Sequence, residues 1–236
     1  NGLSLPEGLP ALAAPGRRQG IAQLLDDEFF GMDSHRMKVG SFTLLCHSVI
    51  HADTLGKALR RAIRFLGLVL DDLMGTLVLD ECGAENVALI RVDDRCTNSQ
   101  ELPPAPKRAF AYGTYLLIMH GLACWLIGRR IPILSADFRC AEPHFSDEWN
   151  VLFSQTLHFS QPSSGIRFPA EYLSMKVVQN EKTMKEFLRS APANFLVKYK
   201  NSSNLSAQIR RKLRNTAPVA WPNFNELATQ FHVSEA

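Results

Sequence analysis

The clearest periodic signal lies between Asp53 and Leu70. Leu55, Ala58, Leu59, Ala62, Ile63, Leu66 and Leu70 recur at helical spacing, while Lys57, Arg60, Arg61 and Arg64 fall on the opposite face. Asp53 stands where an N-cap is needed. After Asp72 the period changes. GTLVLDE and NVALIRVDD are rich in β-formers and flank the turn-like CGAE, which predicts a hairpin over 77–92. Upstream, residues 18–30 predict a short amphipathic helix. Residues 31–50, with Val39, Phe42, Leu44 and Leu45, predict extended or mixed structure. The polar, proline-rich run 94–106 reads as a loop. Further along, 132–143 predicts a strand, 144–155 a short helix, and LHFS and GIRF two short extended pieces around QPSSG. Residues 180–199 predict a helix interrupted near Pro192.

The most apolar segment is AFAYGTYLLIMHGLACWLIG (109–128), twenty positions without an acidic or basic residue. Its length passes the crude test for a membrane span. Gly113, Thr114, His120, Gly121 and Gly128 dilute it, however, and basic residues flank both ends, which gives no orientation bias. A central helix buried on all sides by its own domain is the better expectation, with no membrane contact. The fold class expected is α+β: a mixed domain over 1–200, in which a β-hairpin and further strands pack on a long buried helix, followed from 204 by the start of an all-α unit.

That tail carries its own pattern. Leu205, Ile209 and Leu213 form one stripe on a helix, from which Arg210, Arg211 and Arg214 fall away. Asn223 and Glu226 make a capping-box-like start, and Phe224, Leu227, Ala228 and Phe231 supply a buried face. A turn at His232-Val233 and a restart at Ser234-Glu235 follow. A small Ala, a turn and a new helix are the parts of a helix-turn-helix, although a plain helical hairpin has the same spacing.

Charge agrees with this division. Residues 198–236 hold six Lys/Arg and two Glu, a net of +4, so the other 197 residues carry −1 of the total +3. A near-neutral body with a basic tail suggests that only the tail meets a polyanion. Five cysteines (46, 82, 96, 124, 140) are widely spaced without a CxxC pair, which points to free thiols in a reducing cytoplasm rather than to disulfides or zinc. No export signal is visible in residues 1–20, and the start on Asn1 suggests a trimmed N-terminus.

LSAQIRRKLRN and FNELATQFHVSEA together resemble the opening of an AraC-type DNA-binding domain. The body is similar to the "arabinose-binding" N-terminal domain of one AraC subclass. TLGKALRRAIRF (54–65), LVLDECGAENVALIRV (77–92), the long apolar helix, ILSADFRCAEP (133–143) and LHFSQPSSGIRFPAEYL (157–173) carry that likeness by their order and spacing. The resemblance implies a cytoplasmic bacterial transcription regulator. It implies a sensor that binds a small-molecule effector and forms a homodimer, with promoter DNA bound by the full-length protein and RNA polymerase as a further partner. The chain stops at Ala236, before the recognition helix that reads bases in this family.

No GxSxG, HExxH, P-loop or GxGxxG occurs, so no enzyme and no cofactor is expected. His47, His51 and Asp53 are too slight a set to predict a metal. Candidates for an effector pocket are Phe65, Tyr112, Tyr115, His120 and Trp125, polar or aromatic groups in apolar surroundings; plain core packing would use the same residues. Arg64 is a candidate partner for a carboxylate ligand. Arg210, Arg211, Lys212 and Arg214 are candidates for DNA-phosphate contacts.

Overall fold

The computed structural model describes residues 25–80, 86–95, 105–143, 146–154 and 156–190. The chain divides into two compact units, Asn1–Tyr199 and Lys200–Ala236, and all described residues belong to the first. The helix-turn-helix pattern, Pro192 and the CGAE turn therefore lie outside the described residues, as do most of the 18–30 helix and of the 94–106 loop.

The described elements run in the order α1 (Ser41–Val49), α2 (Leu55–Val69), β1 (Leu73–Asp80), β2 (Val87–Asp94), α3 (Ala105–Leu126), β3 (Ser135–Asp137), α4 (Ser146–Leu152), β4 (Leu157–His158), β5 (Ser164–Pro169), a 3-10 turn (Ala170–Ser174) and α5 (Glu181–Ser190). This is an α+β fold. The strands form one mixed sheet in the order β1-β2-β5-β3-β4, antiparallel except for the β3–β4 pair. The hairpin forms as expected, with Leu73 paired to Asp94 and Asp80 to Val87. Ala88, Ile90 and Val92 on β2 are buried beside Ile166 and Phe168 of β5, which sets the register: a slip by one residue would turn the whole row to the other face.

Three local readings are corrected. Residues 41–49 form one helix rather than extended or mixed structure. Phe42, Leu45, Cys46 and Val49 are buried at i, i+3, i+4 and i+7, and Gly40, at φ 100°, supplies the left-handed residue that precedes the helix. The cap of α2 is Thr54, whose side chain accepts from the Lys57 N–H, while Asp53 forms an i,i+4 ion pair with Lys57 instead. Residues 26–30 turn rather than continue a helix, with Asp26 and Phe30 at positive φ. Carboxylates hold this segment. Asp27 accepts from the N–H groups of Phe29, Gly31 and Met37, and Glu28 from those of Gly40 and Phe42. Asp33 accepts from His35, Asp71 and Asp72, tying the segment to the end of α2.

The apolar face of α2 packs as its period predicts: Leu55, Ala58, Leu59, Ala62 and Leu66 are buried. α3 is the long apolar helix. It is long and apolar enough to cross a membrane, yet 83% of its apolar stretch is buried inside the fold, so it is the core helix of this unit. Tyr112, Tyr115, Leu116, Met119, Leu122, Cys124 and Leu126 are among its buried residues, on every side of the helix. At the β3–α4 end, Phe138 lies 4.2 Å from Trp149 and 5.4 Å from Phe153, centroid to centroid, closing a second aromatic part of the core.

Candidate functional site

The sheet order brings three chain segments to one end of the sheet. β2 leaves the sheet at Asp94, β5 enters at Ser164, paired to Val92, and β3 leaves at Asp137, paired to Gly165. Just past β3 comes Arg139, whose backbone N–H donates to Ser164 Oγ at 3.0 Å. The first turns of α3 cross this end and add Arg108 and Tyr112, one helical turn apart and therefore on one face.

These residues form a charged cluster at that end of the sheet. The Asp94 side chain is fully buried. Its Oδ2 accepts from the Tyr112 hydroxyl at 2.5 Å and from Arg139 Nη1 at 2.9 Å, and its Oδ1 pairs with Arg108 Nη2. The Arg108 side chain is only 6% exposed and its guanidinium lies over the Tyr112 ring, 5.5 Å from the centroid. Arg108 Nε and Nη1 meet no acceptor among the described residues. The Arg139 side chain is 44% exposed and connects the cluster to solvent. Burial raises the Tyr112 hydroxyl above the usual tyrosine range, and the guanidinium of Arg108 partly offsets this. Two guanidinium groups, one buried and one half-exposed, thus share one carboxylate, leaving the cluster with excess positive charge.

The expected effector residues scatter over distinct surroundings. Tyr112 belongs to the cluster. Tyr115 is buried under β1, and its hydroxyl has no hydrogen-bond partner among the described residues. That hydroxyl occupies the space a side chain at Gly75 would need. His120, partly buried, bonds through Nε2 to the Ile131 carbonyl at 2.9 Å, with Cys124 Sγ 3.6 Å away. Desolvation pushes the His120 pKa down to about 4, so the ring is neutral and donates, while the Cys124 thiol is pushed up to about 11. This pair is unreactive as a nucleophile and base: the thiol holds its proton and the histidine does not take it. Trp125 stacks on Phe187 of α5, with centroids 4.3 Å apart. Phe65 is half-buried against the core from α2. Arg210, Arg211, Lys212 and Arg214 lie outside the described residues.

Asp94, Arg108 and Arg139 did not stand out in the sequence. Arg108 reads there as a flank of the apolar run, and Asp94 and Arg139 as loop and strand residues. The available signal was the i,i+4 pairing of Arg108 with Tyr112. Among the described residues, no group of three or more His, Cys, Asp or Glu is placed to hold a metal ion.

Residues 19–177 match the arabinose-binding N-terminal domain of AraC transcription regulators. The chain is 23% identical over 202 residues to an ornithine utilization regulator of Pseudomonas aeruginosa, which covers 84% of this chain and 56% of that protein. It thus spans little more than half the length of that relative. The crystal structure of the transcriptional regulator CdpR from Pseudomonas aeruginosa aligns with all of this chain and 71% of that one, at 15% identity and a TM-score of 0.42. With well over half of its length matched, the chain belongs to the family of arabinose-binding N-terminal domains of AraC transcription regulators.

Proposed function

We propose that this chain is the effector-sensing and dimerising part of a sequence-specific DNA-binding transcription regulator. The family match over 19–177 carries this reading. The regulator relatives support it, and so does the basic tail, whose net charge of +4 contrasts with −1 for the rest. In the full-length protein two sensor domains pair and place their DNA-binding domains on promoter half-sites. A small molecule held in the sensor shifts the balance between two arrangements of that dimer, by as much as its affinity for the two differs. Tyr112 and its charged neighbours are the part of the sensor with chemistry to spare for such a ligand. Arg210, Arg211, Lys212 and Arg214 contact phosphate and add affinity without reading sequence.

A mobility-shift titration of the full-length protein on its own upstream region, repeated across salt concentrations, tests this. The expected result is sequence-preferring binding whose log affinity falls linearly with log salt, with a shallower slope when Arg210 and Arg211 are both changed to Ala. Binding that is absent, or equal on unrelated DNA, overturns the proposal.

A further inference from the structure

We infer that the cluster at the sheet end is the effector site, and that it takes a ligand carrying a carboxylate, held between the Arg108 and Arg139 guanidiniums beside Tyr112. This deepens the sensing role proposed above and rests on it. Three observations carry it. Arg108 is more than nine-tenths buried, yet two of its three guanidinium nitrogens have no acceptor among the described residues. Buried donors of a charged group are rarely left so, because the lost hydration is not replaced. The cluster also holds two cations against one anion, so a second carboxylate would neutralise it. Finally, Arg139 is half-exposed and is held to Asp94 by a single ion pair on Oδ2, so it can turn toward an entering anion while Asp94 keeps Arg108 and Tyr112.

The chemistry fits a carboxylate. A guanidinium donates charge-assisted hydrogen bonds to carboxylate oxygens, and Arg108 offers Nε and Nη1, which lie on different edges and can each meet one oxygen. Ser164 Oγ already accepts from the Arg139 backbone and, as a hydroxyl, can donate to a ligand oxygen. Val92 and Ile166 are buried on the strands beside the cluster, so its surroundings on that side are apolar.

The test is a thermal-shift titration of the chain with acetate, succinate and the proteinogenic amino acids, each run against its methyl ester or amide, with inorganic phosphate as a separate arm. At least one free acid is expected to raise Tm while its neutral counterpart does not, since a ligand that binds only the folded form stabilises it. Arg139→Gln, with its fold checked by circular dichroism, should weaken that acid at least tenfold. Tyr112→Phe should weaken it less and leave the fold intact. The inference is overturned if no acid shifts Tm beyond its neutral partner, if phosphate acts as strongly as the carboxylates, or if Arg139→Gln binds as well as the parent. None of these outcomes touches promoter binding by the full-length protein, so the inference can fail while the regulator reading stands.

Discussion

The two ends of α3 solve the problem of polar groups in a core in opposite ways. At its C-terminal end His120 and Cys124 meet the Ile131 backbone: the imidazole reaches the carbonyl at 2.9 Å, and the Ile131 N–H reaches the thiol sulfur at 3.3 Å. The Trp125 carbonyl accepts from the Gln179 side chain. The groups are neutral and matched, and they anchor the chain that follows the helix. At the N-terminal end Arg108 is buried with donors unmatched among the described residues, against a carboxylate that a second arginine shares. A core built for stability alone would not keep that arrangement, since a buried ion pair commonly gives no net stability over apolar packing. One helix therefore carries an end whose polar groups are neutral and matched, and an end whose buried charge is the ligand site proposed above.

The sharpest way to break the comparison is to unbalance the charged end. Asp94→Asn removes the one carboxylate and leaves Arg108 buried and unpaired, so denaturant unfolding should show a loss of about 3–5 kcal/mol. A loss under about 1 kcal/mol would mean that the carboxylate is dispensable. Next comes the middle of the helix. Gly75→Ala should cost about 1–3 kcal/mol by overpacking against the Tyr115 hydroxyl. Tyr115→Phe should recover part of this in the double variant, because it deletes the hydroxyl oxygen, the nearer of two clashing atoms, and leaves Cζ at 2.9 Å. A double variant no better than Gly75→Ala alone would place the strain elsewhere.

The structural end is probed by pH. The folded pKa of His120 lies below its unfolded value, so the unfolded chain takes up the proton first as pH falls. Its contribution is present above about pH 6.5, declines between about 6.5 and 4 and then levels off. His120→Gln, which can still donate to the Ile131 carbonyl, should flatten the stability profile in that window by about 1–2 kcal/mol, discounted for the partial exposure of the ring. An unchanged profile would mean that His120 is not held neutral.

The fold was legible wherever one period ran unbroken. The α2 stripe from Leu55 to Leu66, the β1–β2 hairpin and the buried α3 all follow from spacing and length. Residues 31–50 were not legible: Met32 and Met37 are buried by loop carboxylates gathering backbone N–H groups, which leaves no period, and this obscured the helix that starts at Ser41. Of the proposed site, the sequence singled out only Tyr112. Its partners Asp94, Arg108 and Arg139 are far apart in the chain, and only the β2-β5-β3 order brings them together. Tyr115, His120 and Trp125 shared the helix with Tyr112 but not its surroundings, because successive turns of a helix buried on all sides meet different elements.

The unfolding free energy of Arg108→Met tests the contrast most directly. If the charged end is kept for binding, the variant should lie within about 1 kcal/mol of the parent, since Asp94 retains Arg139 and Tyr112 and the unmatched donors are gone. A loss of about 3–5 kcal/mol would contradict the account and make Arg108 a structural partner of Asp94 like any other.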